Sequence, residues 1–156
     1  TQDALRRSTR STTCSQTLSL SQRDQDILHL NQALLESVVR GDWQTYSSHC
    51  SQDLTCFEAE TNGVLAEGLP FHQFYFEPTS EAATANATAN ATAKAKVNVT
   101  MAGTHLRWLG DEAVILSYTR LTQRWQGSDA ITASCCETRV WQKLSGQWKQ
   151  VHVHRS

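Results

Sequence analysis

Arg120, Arg139 and Arg155 each lie in a stretch whose other residues read as β-strand. Counting by two, Arg120 shares a face with Val114, Leu116 and Tyr118, Arg139 with Ala133, Cys135 and Trp141, and Arg155 with Val151 and Val153. A guanidinium on a partly apolar face is costly unless it is paired. One solution is a polar cavity between helices and sheet that contains water, carboxylates or an anionic ligand. Glu137, on the same face as Arg139, is a candidate counter-ion, and His72 could close such a cavity from a helix. The other solution is a bulge that turns the arginines to the surface or to an interface, because one extra residue inverts a strand's face. Period alone leaves both open.

Other chemistry has thinner support. The chain has no G-x-S-x-G, Walker loop, H-E-x-x-H or dinucleotide fingerprint. His152 and His154 share one face of the last strand at a spacing that could bind metal, but two histidines alone are more often packing or surface residues. Glu58 and Glu60 could serve general acid–base work, and alternating exposed carboxylates at a strand end explain them more simply. Tyr118 is the one plausible acid–base partner on the inward face. The five cysteines, Cys14, Cys50, Cys56, Cys135 and Cys136, form no C-x-x-C pair and no Cys/His metal spacing. They read as reduced thiols in a cytoplasmic setting, and neither metal nor cofactor is expected.

The elements that must position these groups follow from the pattern. Residues 1–22, rich in Ser, Thr, Gln and Arg, read as a flexible arm. With Thr1 in place of Met, the chain reads as a fragment. Within the arm, Arg6 to Arg10 has a basic-then-hydroxyl pattern that reads foremost as a solvated linker. A helix is expected from about Asp24 to Arg40, with a capping box at Ser21 to Asp24, an apolar face of Ile27, Leu30, Leu34, Leu35 and Val38, and a stop at Gly41. A short helix from Trp43 to His49 follows an Asp42 cap, then a strand over Leu54–Glu58. A third helix starts near Leu69-Pro70 and carries Phe71, Phe74 and Tyr75 on one side. Residues 79–94 are Ala/Thr/Asn repeats, a loop or weak helical connector, and their sequons at Asn86 and Asn90, like that at Asn98, read as incidental. Strands are expected at Val97–Met101, Ala113–Trp125, Ala130–Leu144 and Trp148–His154. Helices first and a meander afterwards imply an α+β domain, with helices on one face of an antiparallel sheet.

Composition narrows the function class. Apolar residues make up 39% and charged residues 19% of 156, with five Trp, which is a globular balance. A net charge of -1 offers no field for nucleic acid or an anionic membrane, and no apolar run reaches spanning length.

Several ordered motifs resemble one family. They are Phe57-Glu58-Ala59-Glu60, Leu65 to Glu77, Leu109-Gly110-Asp111-Glu112-Ala113, Tyr118 to Gln123, Glu137 to Trp141, and Gly146 to Ser156. From about Asp24 to the end, the chain resembles the association (hub) domain of calcium/calmodulin-dependent protein kinase type II. The resemblance implies a cystatin-like fold of the nuclear-transport-factor-2 type, with a long N-terminal helix cradled by a curved antiparallel sheet. It implies a conical pocket in which Arg120, Arg139, Arg155 and His72 match the family's positions, suited to a small carboxylate, with Tyr118 and Glu137 beside it. It implies a non-catalytic domain whose partners are copies of itself, in dimers closed into two stacked rings, and hub domains of kinase subunits. The chain itself has no kinase motifs, so it reads as an excised C-terminal domain or a stand-alone hub-like protein. The family's pocket-flanking loop carries a tryptophan, and Pro78 to Lys94 has no aromatic residue. The competing reading is a small-molecule-binding module or an isomerase- or dehydratase-type enzyme of the same fold.

Overall fold

The computed structural model describes residues 19–77 and 97–156. Most of the expected arm, the loop at 79–94 and the sequons at Asn86 and Asn90 lie outside the described residues. Helix α1 spans Gln22–Arg40, starting two residues ahead of expectation. Its N-terminus is closed reciprocally: Ser21 Oγ accepts from the Asp24 amide (3.3 Å) and the Ser21 amide donates to the Asp24 carboxylate (3.1 Å). It ends at Gly41, whose φ of 67° is the left-handed conformation a side chain would resist. Asp42 caps α2 (Trp43–His49), accepting from the Thr45 amide at 3.0 Å.

The remaining elements are β1 (Cys50–Phe57), β2 (Ala66–Glu67), α3 (Leu69–Gln73) with a 3₁₀ turn over Phe74–Phe76, β3 (Asn98–Trp108), β4 (Ala113–Gln126), β5 (Asp129–Leu144) and β6 (Gln147–Arg155). The six strands form one sheet in the order β2-β1-β6-β5-β4-β3. Helices on one face of a curved sheet are the α+β, nuclear-transport-factor-2-like arrangement expected. One pairing departs from the antiparallel expectation: β1 runs parallel to β6. Nearly a hundred residues separate the two strands in sequence, so no tight hairpin dictates their direction.

Three irregularities interrupt the sheet, one of them in the β1–β6 pairing between Cys50 and Thr55. The β3–β4 register shifts between Ala102 and His105, at Gly103 (φ 62°), and the β5–β6 register shifts between Val140 and Trp141. Into the curve packs α1, with Ile27, Leu34 and Leu35 against Val114, Leu116 and Tyr118 of β4 and Trp141 of β5. Each such aliphatic side chain contributes roughly 1.5–3 kcal/mol by leaving water. The helix face differs from the apolar stripe expected. Asn31 and Ser37 are fully buried, while Val38 is 39% exposed. Asn31 is tolerated because both ends of its amide are used. Its Oδ1 accepts from Trp141 Nε1 at 3.2 Å and its Nδ2 donates to Met101 Sδ at 3.0 Å. No helix among the described residues is long and apolar enough to cross a membrane.

Candidate functional site

The inward faces of β4, β5 and β6 converge where α1 ends and α3 begins. Register fixes the convergence: Arg120 pairs with Cys135, Glu137 with Tyr118 and with Arg155, and Arg139 with Val153. A cavity of about 220 Å³ opens there, walled by Arg120, Arg139, Arg155, His72, Glu58 and Glu60, with Tyr46, Phe76 and Val153 supplying apolar surface. That volume is below the roughly 300–1,000 Å³ of drug-sized sites. Val38, displaced from the core, sits in the same wall.

Every arginine in the wall has a carboxylate partner. Glu137, with no side-chain exposure, faces Arg139 Nη2 at 2.9 Å and Arg120 Nη1 at 2.9 Å. The Arg120 contact is an ion pair without hydrogen-bond alignment, and among the described residues neither Glu137 Oε1 nor Arg120 Nε makes a hydrogen bond. Tyr118 OH donates to Glu137 Oε2, and Arg139 Nε donates to Tyr118 OH at 2.9 Å. Arg139 Nη1 donates to Gln150 Oε1. Arg155 bridges Glu58 (Nε, 2.8 Å) and Glu60 (Nη2, 2.7 Å). Glu58 also accepts from Tyr75 OH at 2.7 Å. Three guanidiniums thus meet three carboxylates, and the charges cancel.

The titrations follow from this pairing. Burial opposes ionisation of Glu137, but Arg139, Arg120 and the Tyr118 hydrogen bond outweigh it and hold its carboxyl below the usual range. Burial pushes the Tyr118 phenol up to about 12. Burial, with Arg139 and Arg155 adding to it against Glu58, lowers the His72 imidazole below its ordinary value. His72 is 5% exposed, and its Nδ1 has no hydrogen-bond partner among the described residues.

The family model of the calcium/calmodulin dependent protein kinase II association domain matches residues 23–156. The chain belongs to this family. The calcium/calmodulin-dependent protein kinase type II alpha chain of Drosophila melanogaster is 39% identical over 87% of this chain, which covers 24% of that protein. The chain spans about a fifth of the length of the curated relatives it matches. The calcium/calmodulin-dependent protein kinase II hub homology domain of Chlamydomonas reinhardtii superposes with a TM-score of 0.75 at 40% identity, covering 86% of this chain and 97% of that one. A nuclear-transport-factor-2-like protein of Rhodospirillum rubrum shares the fold alone, with 19% identity, a TM-score of 0.60, and 84% and 97% of the two chains covered.

In this association domain the six residues singled out from sequence occupy two layers. Arg120, Arg139, Arg155 and His72 line the cavity, whereas Tyr118 and Glu137 are absent from its wall and form the hydrogen-bonded layer beneath Arg139. Three expectations need correction. Glu58 is not an exposed strand-end carboxylate: it is 7% exposed and holds Arg155 and Tyr75, while Glu60 keeps 48% of its side chain in solvent. The bulge in β6 breaks the period at Val151, so Gln150 and Val153, three apart, both face inward, and Val151 does not share their face. The third helix does not carry Phe74 and Tyr75: α3 ends at Gln73 and both lie on the 3₁₀ turn that follows, where Tyr75 still contacts the Phe71 and Phe74 rings. Phe74 is 73% exposed, and Tyr75 reaches back to Glu58.

Sequence reasoning missed Gln150, Asn31 and Tyr75. Only Tyr75 carried a signal, a phenol in a helix already placed near His72. The candidate metal spacing of His152 and His154 resolves as packing: both rings contact Phe57, and His152 Nδ1 lies 2.8 Å from Thr55 Oγ1. The four described cysteines are free thiols, with Cys50 and Cys56 buried.

Proposed function

We propose that this association domain is a non-catalytic homo-oligomerisation hub, its copies pairing and closing into two stacked rings, and that its arginine cavity takes a small carboxylate. Membership of the association-domain family carries the assembly reading, and apolar surface left uncovered on one copy supports it. Val64 (68% exposed), Leu65 and Phe71 border one hollow, and the Phe71, Tyr75 and Phe74 rings continue from it. The far ends of β4 and β5 run past the last β3 pairing as a two-stranded ribbon bearing Trp125, 59% exposed. Two separate surfaces suit a closed assembly, which needs one contact within a dimer and another around the ring. In a longer chain, such an assembly raises the local concentration of whatever is tethered to it, kinase domains included. Its partners are copies of itself and hub domains of kinase subunits, in the cytoplasm. Mass photometry of the purified chain at micromolar concentration is expected to give one closed species, and a monomer overturns the reading.

The carboxylate reading rests on Arg120 and Arg155, the two guanidiniums that keep some exposure. Glu60, the most exposed of the three acids, is the one an incoming carboxylate can displace from Arg155. A ligand of the folded state at about 100 times its Kd adds about 2.7 kcal/mol. Short-chain carboxylates are therefore expected to raise the melting temperature by a few degrees, and less in Arg120→Ala. No rise in the parent protein overturns it. The non-catalytic reading is supported by Tyr118 and Glu137, whose proton-transfer groups are engaged with each other and with Arg139.

A further inference from the structure

We propose that Cys56, Glu58 and His72 form a divalent transition-metal site, of zinc type, at the inner end of the cavity. Their ligating atoms all lie within 4.8 Å of one another. Cys56 is on β1 and Glu58 follows that strand two residues on, so period two puts both on one face. His72 closes on them from α3. All three are buried, at 0%, 7% and 5% exposure. An imidazole nitrogen in this interior without a hydrogen bond is unusual, and His72 Nδ1 is one.

The donor set selects the metal. A thiolate, an imidazole and a carboxylate suit zinc, with bonds of about 2.0–2.3 Å, and do not suit calcium or magnesium. Tetrahedral coordination at those lengths places donors roughly 3.5 Å apart, so the side chains close by about 1 Å. Glu58 is already oriented from outside by Tyr75 and Arg155, the kind of support that fixes a ligating carboxylate, and each of its oxygens retains a lone pair. Glu58 and His72 both reach the cavity wall, so the fourth coordination position opens toward it.

Binding displaces the thiol proton to solvent and leaves a metal–thiolate bond. The cavity, neutral before, then carries one net positive charge. A carboxylate entering beside the arginines is favoured by that charge, and by reciprocity it tightens the metal. The metal site itself does not depend on the carboxylate reading.

The test uses the assembled protein with Cys14, Cys135 and Cys136 changed to serine, which leaves Cys56 and the buried Cys50 as its thiols. Titration with Co²⁺ alone is expected to give a thiolate-to-cobalt charge-transfer band saturating at one ion per chain, displaced by Zn²⁺. Cys56→Ala abolishes the band, and His72→Gln weakens binding by about tenfold or more. Zn²⁺ alone raises the melting temperature of the parent and not of His72→Gln, which stands in if Cys56→Ala fails to fold. Absence of the band, or its persistence with undiminished affinity in either variant, overturns the proposal.

Discussion

Glu137 makes it possible for Arg139 to lie in the interior at all. Its carboxylate faces two guanidiniums and a phenol, and removing it leaves both guanidiniums without their counter-ion. Glu137→Gln is therefore expected to destabilise the fold by about 3–5 kcal/mol, measured by denaturant unfolding at matched protein concentration. The acid side follows the same pairing. Because the folded-state pKa of Glu137 is depressed, its stabilisation is fully present above the unfolded carboxyl's value and is lost as pH falls through the lower folded value. Stability of the parent should decline below about pH 4.5, the ordinary glutamate value, and more steeply than that of Glu137→Gln. Gln150 has a similar role from the opposite side, since Gln150→Leu strips Arg139 Nη1 of its acceptor and should cost about 1–3 kcal/mol. These residues explain how far the site was legible. Charge and alternation revealed three arginines and one counter-ion. Gln150 stayed hidden because a bulge is a tertiary accommodation with no signature in the pattern.

At the scale of elements, the start of α1 is fastened twice. Asp24 completes the capping box and accepts from Trp108 Nε1 at 2.8 Å, while the Arg23 guanidinium lies 4.3 Å over the Trp108 ring. Those contacts tie the helix to the end of β3, and Trp108 in turn meets Trp148 edge-on. Ser21→Ala should cost about 1 kcal/mol through loss of the cap alone. Asp24→Ala should cost more, because it also leaves the Trp108 donor without its acceptor, and the difference is readable in parallel thermal melts. At the β3 bend, Gly103 has positive φ and open space around a would-be Cβ. Gly103→Ala is thus expected to destabilise by about 1 kcal/mol from backbone strain, without steric clash. The caps and the Gly41 stop were readable from residue identity, since capping is a local interaction. The parallel pairing of β1 with β6 was not, because it joins segments nearly a hundred residues apart.

For the whole molecule, the two uncovered surfaces make a graded expectation. Phe74→Glu alone and Trp125→Glu alone should each stop assembly at a smaller species, and the double variant should run as monomers by native mass spectrometry. An unchanged mass in the double variant would show that neither surface holds the assembly together. Burial of the central charges should survive in those monomers, because the Glu137 network lies within one chain.

Taken alone, the amino-acid order determined the class of the fold, its caps and turns, the strands bearing arginine and, through ordered motifs, the family. Those features arise from neighbours in sequence or from period, which a linear reading captures. Tertiary structure decided the partners. It set Glu58 against Arg155, Gln150 against Arg139 and Asn31 against Trp141, and it brought His72 over Cys56 and Glu58. A long-range contact depends on register, bulges and the crossing of helix and sheet together. One residue of slip reverses which side chains face the cavity, so only the assembled sheet settles which charges meet.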